Sequence, residues 1–426
     1  MGKSILYPTM LKTVLSILML MFSFKCFGAY PSVREFPIIA VTVRNAVPEI
    51  NRSELQQVVA CGFNLCMENM SDSHLEQLLD SLDGTGLKVI ANNNAFRISA
   101  GDSDWRKGIK ECVNKFKHHP NLWGWNFGDE PRWDKLGELG VRYKYLRELD
   151  PRRFVSLNFV GQLAPDFTGP CKTLEAYVDT VQKYFDLDIW SSDFYPIMIR
   201  NGNFIVDYKG YYTDLEVFSQ KSKETGKPMW TYLESMEYTS NHHSRPAATV
   251  PYLTFEAFSS LAYGAQGIVY WTYYQRPSNA VETYLSALVN LDGQKTPAWY
   301  AAQKVNLQIR ALTDVFLGAK KIECKHTGNI GLADVRPFIS DFGPLSRLSN
   351  EEKGVLVSHL QNKGRNYLVI VNHDVQKKQK VSMRFKDGKR VRQIRVDNKY
   401  QLKRKTPRST SSLTLDPGGY AVFEWE

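Results

Sequence analysis

Short runs of β-branched and aromatic residues alternate with longer segments of helical periodicity over about two-thirds of the chain. This alternation is typical of a parallel sheet whose strands are joined by crossover helices. The pattern predicts eight strands: Pro37–Val43, Phe63–Met67, Leu87–Ala91, Leu122–Phe127, Phe154–Phe159, Leu187–Ser192, Met229–Leu233 and Gly267–Thr272.

Helical segments separate these strands, and an eighth helix over roughly Pro297–Phe316 closes the series. Pro297 suits a first helical turn, and Gly318 suits a helix stop. Eight strand–helix units of this size predict an α/β fold, a (β/α)8 TIM barrel spanning residues 30–318. A doubly wound open sheet is the alternative, but it usually has fewer strands, and no glycine-rich phosphate loop follows the first strand.

Residues 319–426 show a different pattern, with short alternating runs such as Gly354–His359, Tyr367–Asn372 and Tyr420–Trp425. Turn residues such as Asp387-Gly388 separate these runs. This pattern predicts a small antiparallel β-sandwich domain after the barrel.

The N-terminal residues predict an export signal. Lys3 and Lys12 precede an apolar run from Val14 to Phe24 that is too short to span a bilayer as a mature helix. Small residues at positions 28 and 29 offer a cleavage point. We therefore expect residues 1–28 to be a signal peptide and the protein to be secreted or periplasmic. Attachment at the cell surface, through a lipid on Cys26 or an uncleaved anchor, is the alternative.

The basic charge of the chain is confined to one segment. The formal net charge of the 426 residues is +10. Between Lys363 and Arg408 stand 16 Lys or Arg against three Asp, which is +13 and leaves −3 for the rest. We therefore predict no nucleic-acid partner. The basic segment suits a lysine-coated sheet surface that prevents edge pairing, or attraction to acidic polysaccharide or membrane phosphate.

Cysteine and histidine are placed in ways that predict no metal site and no cofactor. Six cysteines occur without a CxxC pair, and cleavage after position 28 would remove Cys26. The other five suit unpaired buried thiols, with one disulfide as the alternative. The pair His242 and His243 lacks a third ligand motif and suits a solvated loop.

Two glutamates stand at the ends of predicted strands. In a (β/α)8 barrel, chemistry is carried by residues just after the carboxyl ends of the strands. Strand 4 ends in Gly128-Asp129-Glu130-Pro131, and strand 7 ends in Glu234-Ser235. Each carboxylate follows an apolar run that must be buried. The alternative is a structural network of ion pairs at the barrel rim.

These strand ends resemble those of the retaining β-glycosidases of glycoside hydrolase clan A, the "4/7" barrels. The resemblance spans the barrel and extends to Asp193-Phe194-Tyr195-Pro196 and to Tyr270-Trp271. It implies a glycosidase that cleaves a β-linked glycan with retention, with Glu130 as acid/base and Glu234 as nucleophile. It also implies that Tyr195 holds Glu234 by a hydrogen bond. Glu237 is the fallback nucleophile.

One residue departs from the clan, because Asp129 stands where the clan usually has Asn. An ionised neighbour would raise the pKa of Glu130, which suits a general acid. Asp129 could also change the contact with the sugar or be the acid itself. Two further alternatives stay open: a catalytically silent glycan-binding barrel, and an inverting hydrolase or lyase on the same fold.

Other polar and aromatic residues near strand ends suit the binding of an oligo- or polysaccharide. The predicted binding residues are Asp129, Tyr195, Trp271, Asn158, Arg44 and Asn92. Trp271 is the first candidate for stacking on a sugar, followed by Trp133 and Tyr274. Trp123, Trp125 and Trp230 lie within strands, where core packing explains them equally well.

Overall fold

A computed structural model describes residues 34–43, 51–97, 103–240, 243–332, 335–350 and 353–426. The predicted signal peptide (residues 1–28), Arg44 and His242 lie outside the described residues, so the expectations placed on them stay predictions.

Eight parallel strands form a closed barrel, which confirms the predicted fold class. Pairing of Ile39 with both Leu65 and Val269 joins the first strand to the second and to the last. The barrel strands are β1 (Ile38–Val41), β2 (Leu65–Met70), β3 (Lys88–Asn93), β4 (Leu122–Asp129), β5 (Phe154–Val160), β6 (Trp190–Asp193), β7 (Met229–Glu234) and β8 (Gly267–Trp271).

Helices surround the barrel in the predicted order. They are α1 (Arg52–Ala60), α2 (Asp72–Ser81), α3 (Trp105–Phe116), α4 (Leu136–Leu149), α5 (Leu174–Tyr184), α6 (Tyr208–Thr225), α7 (Val250–Ala262) and α8 (Pro297–Ala311). Side chains of Thr173, Asp207 and Thr249 accept backbone N–H bonds at helix starts. The predicted eighth helix is interrupted at Leu312, after which a short helix runs over Thr313–Phe316.

Two apolar layers hold the barrel together. Inward-facing residues, including Ile39, Ile90, Phe154 and Trp230, fill its interior. Trp123 stacks on Trp230 there, at a ring-centroid distance of 5.9 Å. Trp125 instead packs outside the barrel, under the helices, and donates from its indole N–H to Asp150. These three tryptophans therefore serve core packing.

A five-stranded sheet, here called the cap sheet, lies at the carboxyl end of the barrel and was not predicted. Its strands are Ile197–Arg200, Asn203–Val206, Glu237–Ser240, Ser244–Arg245 and Glu282–Ser286. They come from the loops after β6, β7 and β8. Met236, Tyr238 and Tyr284 of this region pack against Trp271, so the cap sheet forms a wall beside the end of β8.

Two antiparallel sheets follow the barrel, which confirms the predicted β-sandwich. The strands are β9 (Lys320–His326), β10 (Phe338–Phe342), β11 (Leu345–Asn350), β12 (Val355–Asn362), β13 (Arg365–Asn372), β14 (Gln379–Phe385), β15 (Val391–Val396), β16 (Leu402–Lys405), β17 (Thr410–Leu415) and β18 (Tyr420–Trp425). One sheet has the order β9-β12-β13-β18-β15-β16, and the other β10-β11-β14-β17.

The sandwich packs directly on the barrel. The Tyr208 hydroxyl donates to the carbonyl of His373 over 2.7 Å, and the rings of Phe258 and Tyr420 stack. All five described cysteines are free, and Cys61, Cys66 and Cys112 are buried. Among the described helices, none is both long and apolar enough to cross a membrane.

Candidate active site

The end of β4 is shaped by a bulge. Its pairing with β5 shifts register between Asn126 and Gly128, and beyond the shift Asp129 pairs with Asn158. The next residue, Glu130, has a φ of +41°, in the left-handed region, and its N–H donates to the Asn158 carbonyl over 3.0 Å. Such a conformation costs a non-glycine residue about 1–2 kcal/mol. The bulge and this turn therefore re-aim the two acidic side chains.

Hydrogen bonds through Asn158 connect the ends of three neighbouring strands. Its amide Nδ2 donates to Asp129 Oδ1 over 3.0 Å, and its Oδ1 accepts from Ser191 Oγ over 2.8 Å. Asn158 is buried, so its contact with Ser191 is shielded from water, whereas its contact with Asp129 borders the cleft. Asn158 is thereby fixed as a support for Asp129, while its predicted contact with sugar stays a prediction.

Three carboxyl groups, on Asp129, Glu130 and Asp193, lie close together at the ends of β4 and β6. Burial, reinforced by Asp129, raises the pKa of Glu130 to about 7, although a hydrogen bond with Asp193 acts in the opposite direction. Burial and both neighbouring carboxyls raise the pKa of Asp193 well above its usual value. The cluster therefore retains protons near neutral pH.

Asp129 is the member of this cluster that faces open space. The Asp129 side chain is exposed to a cleft. Protein groups surround this cleft closely, so Asp129 loses hydration and its pKa is raised. The Asn158 hydrogen bond and the charge of Arg276 both favour the ionised form.

Glu234, the last residue of β7, is 6% exposed and firmly held. Its Oε1 accepts from the Met236 N–H over 3.0 Å, and its Oε2 lies 4.0 Å from Arg245 Nε. Burial raises the pKa of Glu234 well above its usual value, while Arg245 and the Met236 N–H lower it. Glu256 lies behind it on α7 and accepts the Glu234 N–H over 3.0 Å.

Arg245 reaches Glu234 from the cap sheet. Its Nη1 donates to the carbonyl oxygens of Tyr195 and Ile197, the latter over 2.9 Å. These bonds fix the guanidinium beside the carboxylate. The sequence pattern did not reveal this partner, because a two-residue strand eleven positions beyond Glu234 carries no periodicity.

Tyr195 lies between the carboxyl cluster and Glu234. Burial is the main reason for its strongly raised pKa, and Asp193, Glu234 and Asp129 add to the shift. Its ring stacks on Trp271 with centroids 6.2 Å apart. Trp271 in turn pairs in register with Glu234 across β7 and β8. The hydrogen bond from Tyr195 to Glu234 stays a prediction.

A cavity of about 690 Å³ opens at this end of the barrel. Asp129, Asn92, Tyr232 and Trp271 are among the residues that line it. Its volume lies within the range of small-molecule sites. Glu130 and Glu234 do not line this cavity. Asp129 and Trp271 therefore face the open cleft, and the two glutamates lie beside it.

Four cationic side chains line the same cavity: Arg97, Arg132, Lys135 and Arg276. The guanidinium of Arg276 lies 6.0 Å from the ring centroid of Trp271. No sequence pattern pointed to these cations, since Arg97, Arg132 and Arg276 stand on irregular loops and Lys135 ends a single 3-10 turn. Their position soon after the end of a barrel strand was the one feature of the sequence that could have indicated these cations.

The secondary stacking candidates lie elsewhere. Trp133 packs against the hydrophobic core and closely approaches Gly169, and Tyr274 is buried at 3% exposure. Among the described aromatic candidates, Trp271 is the one that lines the cavity.

Comparison with known proteins adds a family match. The model of glycoside hydrolase family 42, described as β-galactosidase, matches residues 138–312. No curated protein matches the chain in sequence.

Solved β-galactosidase structures share the fold. The family 42 enzyme Gan42B from G. stearothermophilus superposes with a TM-score of 0.63 at 10% identity, over 92% of this chain and 98% of that one. The enzyme from Bacillus circulans sp. alkalophilus gives 0.62 at 10% identity, over 94% and 100%. The enzyme from the psychrophilic Marinomonas ef1 gives 0.50 at 12% identity, over 66% of this chain but only 60% of its own length. The family match and the shared barrel confirm the resemblance to the clan A glycoside hydrolases and support a glycosidase.

Proposed function

We propose that the protein is a retaining β-glycosidase in which Glu130 is the acid/base and Glu234 the nucleophile. The observation that carries this proposal is the contrast between two strand-end glutamates. Burial and the neighbouring Asp129 raise the pKa of Glu130 to about 7, whereas Glu234 lies beside Arg245, whose charge opposes the effect of burial on the pKa of Glu234. A retaining glycosidase needs this division of roles between two carboxyl groups.

Glu130 supplies the proton. With a pKa of about 7, a large fraction of Glu130 is protonated at neutral pH, and a group of this pKa can both give and take a proton. It protonates the leaving oxygen in the first step. In the second step, it removes a proton from the water that attacks the glycosyl–enzyme bond.

Glu234 supplies the attacking oxygen. Its Oε1 is held by the Met236 N–H, while its buried Oε2 accepts no hydrogen bond from any described residue. Attack of Oε2 on the anomeric carbon forms a C–O bond as the bond to the leaving oxygen breaks. Water then displaces Glu234 and restores the original configuration.

A second assignment of the acid is supported by the cavity. Asp129 lines the cleft, whereas Glu130 stands beside it and is hydrogen-bonded to Asp193. In this alternative, Asp129 protonates the leaving oxygen, and Glu130 acts only by raising the proton affinity of the cluster.

The first substrate class to test is a β-galactoside. The matching family model is described as β-galactosidase, and the three structures named above carry the same description. The cavity, with Trp271 on one side and polar groups around it, is of a size that takes a small saccharide.

The test is turnover of aryl β-glycosides by the purified protein, with the first-formed product anomer read by NMR. Glu234→Gln should abolish turnover without changing the folded state seen by circular dichroism. Glu130→Ala should lose about 10²–10⁴-fold on poor leaving groups and much less on activated ones. If Asp129→Ala shows that leaving-group dependence and Glu130→Ala does not, the second assignment holds.

Two other results would contradict the proposal. A product of inverted configuration would rule out retention. Saturable oligosaccharide binding with no product from any β-glycoside would indicate a glycan-binding barrel instead.

We also propose that the protein is exported. The support is the sequence pattern of residues 1–28. Mass spectrometry of the mature N-terminus should find Ala29 first, and an intact Met1 in the cytosolic fraction would contradict export.

A further inference from the structure

We propose that the C-terminal sandwich carries a second binding site, specific for a glycan bearing carboxylate or sulfate groups. The site is a cavity of about 590 Å³ at one end of the sandwich, here called the basic cavity. It is formed by the turn after β14, the start of β15, the loop before β17 and the end of β18. Its lining residues are Arg365, Phe385–Val391, Arg392, Thr406–Ser409 and Glu424–Glu426.

The basic cavity has more cationic side chains than are needed to pair with its acidic residues. Six cationic side chains line it, against the three acidic ones of Asp387, Glu424 and Glu426. The buried Glu424 already has two arginines close to it, with Arg392 Nε at 2.9 Å and Arg404 Nε at 3.0 Å. Arg365 lies 3.9 Å from its second oxygen. The one buried acid of the cavity is thus fully compensated.

Three of the lining cations remain available to a ligand. Lys389, Arg390 and Arg408 are exposed, and they form no ion pair with another residue in the described part of the chain. Like charges held in one concave site repel each other, and this repulsion is relieved when an anion enters. Arginine also binds carboxylate and sulfate oxygens in a bidentate manner.

The backbone of the basic cavity is fixed before any ligand arrives. The Phe385 N–H donates to the Ser409 carbonyl over 2.8 Å, and the Lys386 N–H donates to the Pro344 carbonyl over 2.8 Å. The Glu426 N–H donates to the Arg390 carbonyl over 3.1 Å. A preformed site loses little conformational entropy on binding.

The base of the cavity is apolar. Trp425 and Phe385 line it and are each 6% exposed. A concave site with an apolar base and a cationic rim matches a sugar that bears an anionic group, because its ring carries apolar C–H faces. Duplex nucleic acid and membrane headgroups present a wide charged surface instead, which suits a flat or convex cationic patch.

The barrel cleft favours the same class of ligand. Arg97, Lys135 and Arg276 line that cleft near Asp129. A glycan with anionic substituents would complement the charge of each of the two sites. The choice of a glycan therefore rests on the proposed function, whereas the anion preference rests on the cavity itself.

The experiment measures binding by the full-length protein, using affinity electrophoresis and calorimetry. The probes are polygalacturonate for carboxylate, dextran sulfate for sulfate ester, and neutral dextran. All three are α-linked, so binding does not depend on β-glycosidase turnover. We expect binding of at least one anionic probe and none of neutral dextran.

A matched pair of triple variants separates the cavity from general charge. Lys389→Ala/Arg390→Ala/Arg408→Ala removes three charges inside the cavity, and Lys377→Ala/Lys380→Ala/Lys399→Ala removes three exposed charges outside it. The first should weaken binding of the anionic probe at least tenfold, and the second less than twofold. Equal weakening by both variants, or equal binding of neutral dextran, would overturn the proposal.

Two further binding experiments test whether the cavity takes a different class of ligand. Duplex DNA and phosphatidylglycerol vesicles are tested with the same variants. Cavity-dependent binding of either one, with no binding of the two anionic glycans, would also overturn the proposal. Hydrolysis of an aryl β-glycoside is measured in parallel and should be unchanged in both triple variants, so a failure of the proposed function is seen separately.

Discussion

Arg245 Nε lies 4.0 Å from Glu234 Oε2, and the two groups come from different sheets. Glu234 ends a barrel strand, and Arg245 belongs to the cap sheet. Both side chains are almost fully buried, so their attraction is little screened by water or salt. This contact is the largest of the interactions that lower the pKa of Glu234 against the dominant effect of burial.

Removal of Arg245 should therefore impair the nucleophile. In Arg245→Gln, the pKa of Glu234 rises further, and the acid limb of the kcat/KM profile moves to higher pH. We expect a loss of about 10–100-fold in kcat/KM near pH 6, corresponding to one or two pKa units. Arg200→Gln, at the exposed end of a strand of the same cap sheet, removes the same charge and should leave the profile unchanged. An unshifted acid limb in Arg245→Gln would contradict this account.

The alkaline limb should report Glu130. Because its pKa is raised to about 7, proton donation should decline above that pH. Asp129→Asn removes a negative neighbour, so the pKa of Glu130 should fall and the alkaline limb should move to lower pH. The measurement is the kcat/KM profile from pH 4 to pH 9 for both proteins. A limb that stays in place would show that Asp129 does not act on Glu130 electrostatically.

The free energy of unfolding should depend on pH through Asp214, another buried acid. Burial raises its pKa to about 8, although the nearby Ser192 hydroxyl has a lowering effect. The folded state therefore binds the proton more tightly than the unfolded chain. This contribution is complete below the ordinary aspartate pKa near 4 and is lost as pH rises through about 8, at up to roughly 1.4 kcal/mol per pH unit.

Asp214→Asn tests this linkage. The variant cannot ionise, so its Tm should exceed that of the wild type at pH 9 and approach it at pH 5. Asp387→Asn, in an exposed turn, should show no such pH-dependent difference. A Tm difference that does not change between the two pH values would rule out titration of Asp214 as the cause.

Trp271 should govern substrate affinity. It lines the cleft, stacks on Tyr195 and lies below Arg276, so its ring is held in place from two sides. Trp271→Ala should raise KM about tenfold, because loss of stacking costs about 1–1.5 kcal/mol. Trp271→Phe should recover part of this loss. A kcat loss with unchanged KM would instead indicate that Trp271 supports Glu234.

The sequence revealed the barrel because its buried strands and amphipathic helices carry strong periodicity. The two glutamates were visible for the same reason, since each directly follows a buried strand. The cap sheet was missed because its strands are two to five residues long and come from separate loops. Strand β9 (Lys320–His326) was also missed, because its run of lysines hides the alternation of a strand.

The register shift between Asn126 and Gly128 could not be read from the sequence either, since it depends on how β4 meets β5. That shift decides which of Asp129 and Glu130 faces the cleft. Arg276 and Arg245 belong to loops or to very short strands, so only the folded chain brings them to Asp129 and Glu234.

The cap sheet has a consequence for how the protein can diversify. Residues of the cap-sheet region pack against Trp271, which lines the cleft, and the same sheet carries Arg245, whose charge favours the ionised form of Glu234. A loop exchange that reshapes the cleft for another sugar would therefore also alter the reactivity of Glu234. The substrate range and the reactivity of Glu234 should therefore change together. A transplanted loop should restore activity only if it also supplies a cation in the place of Arg245.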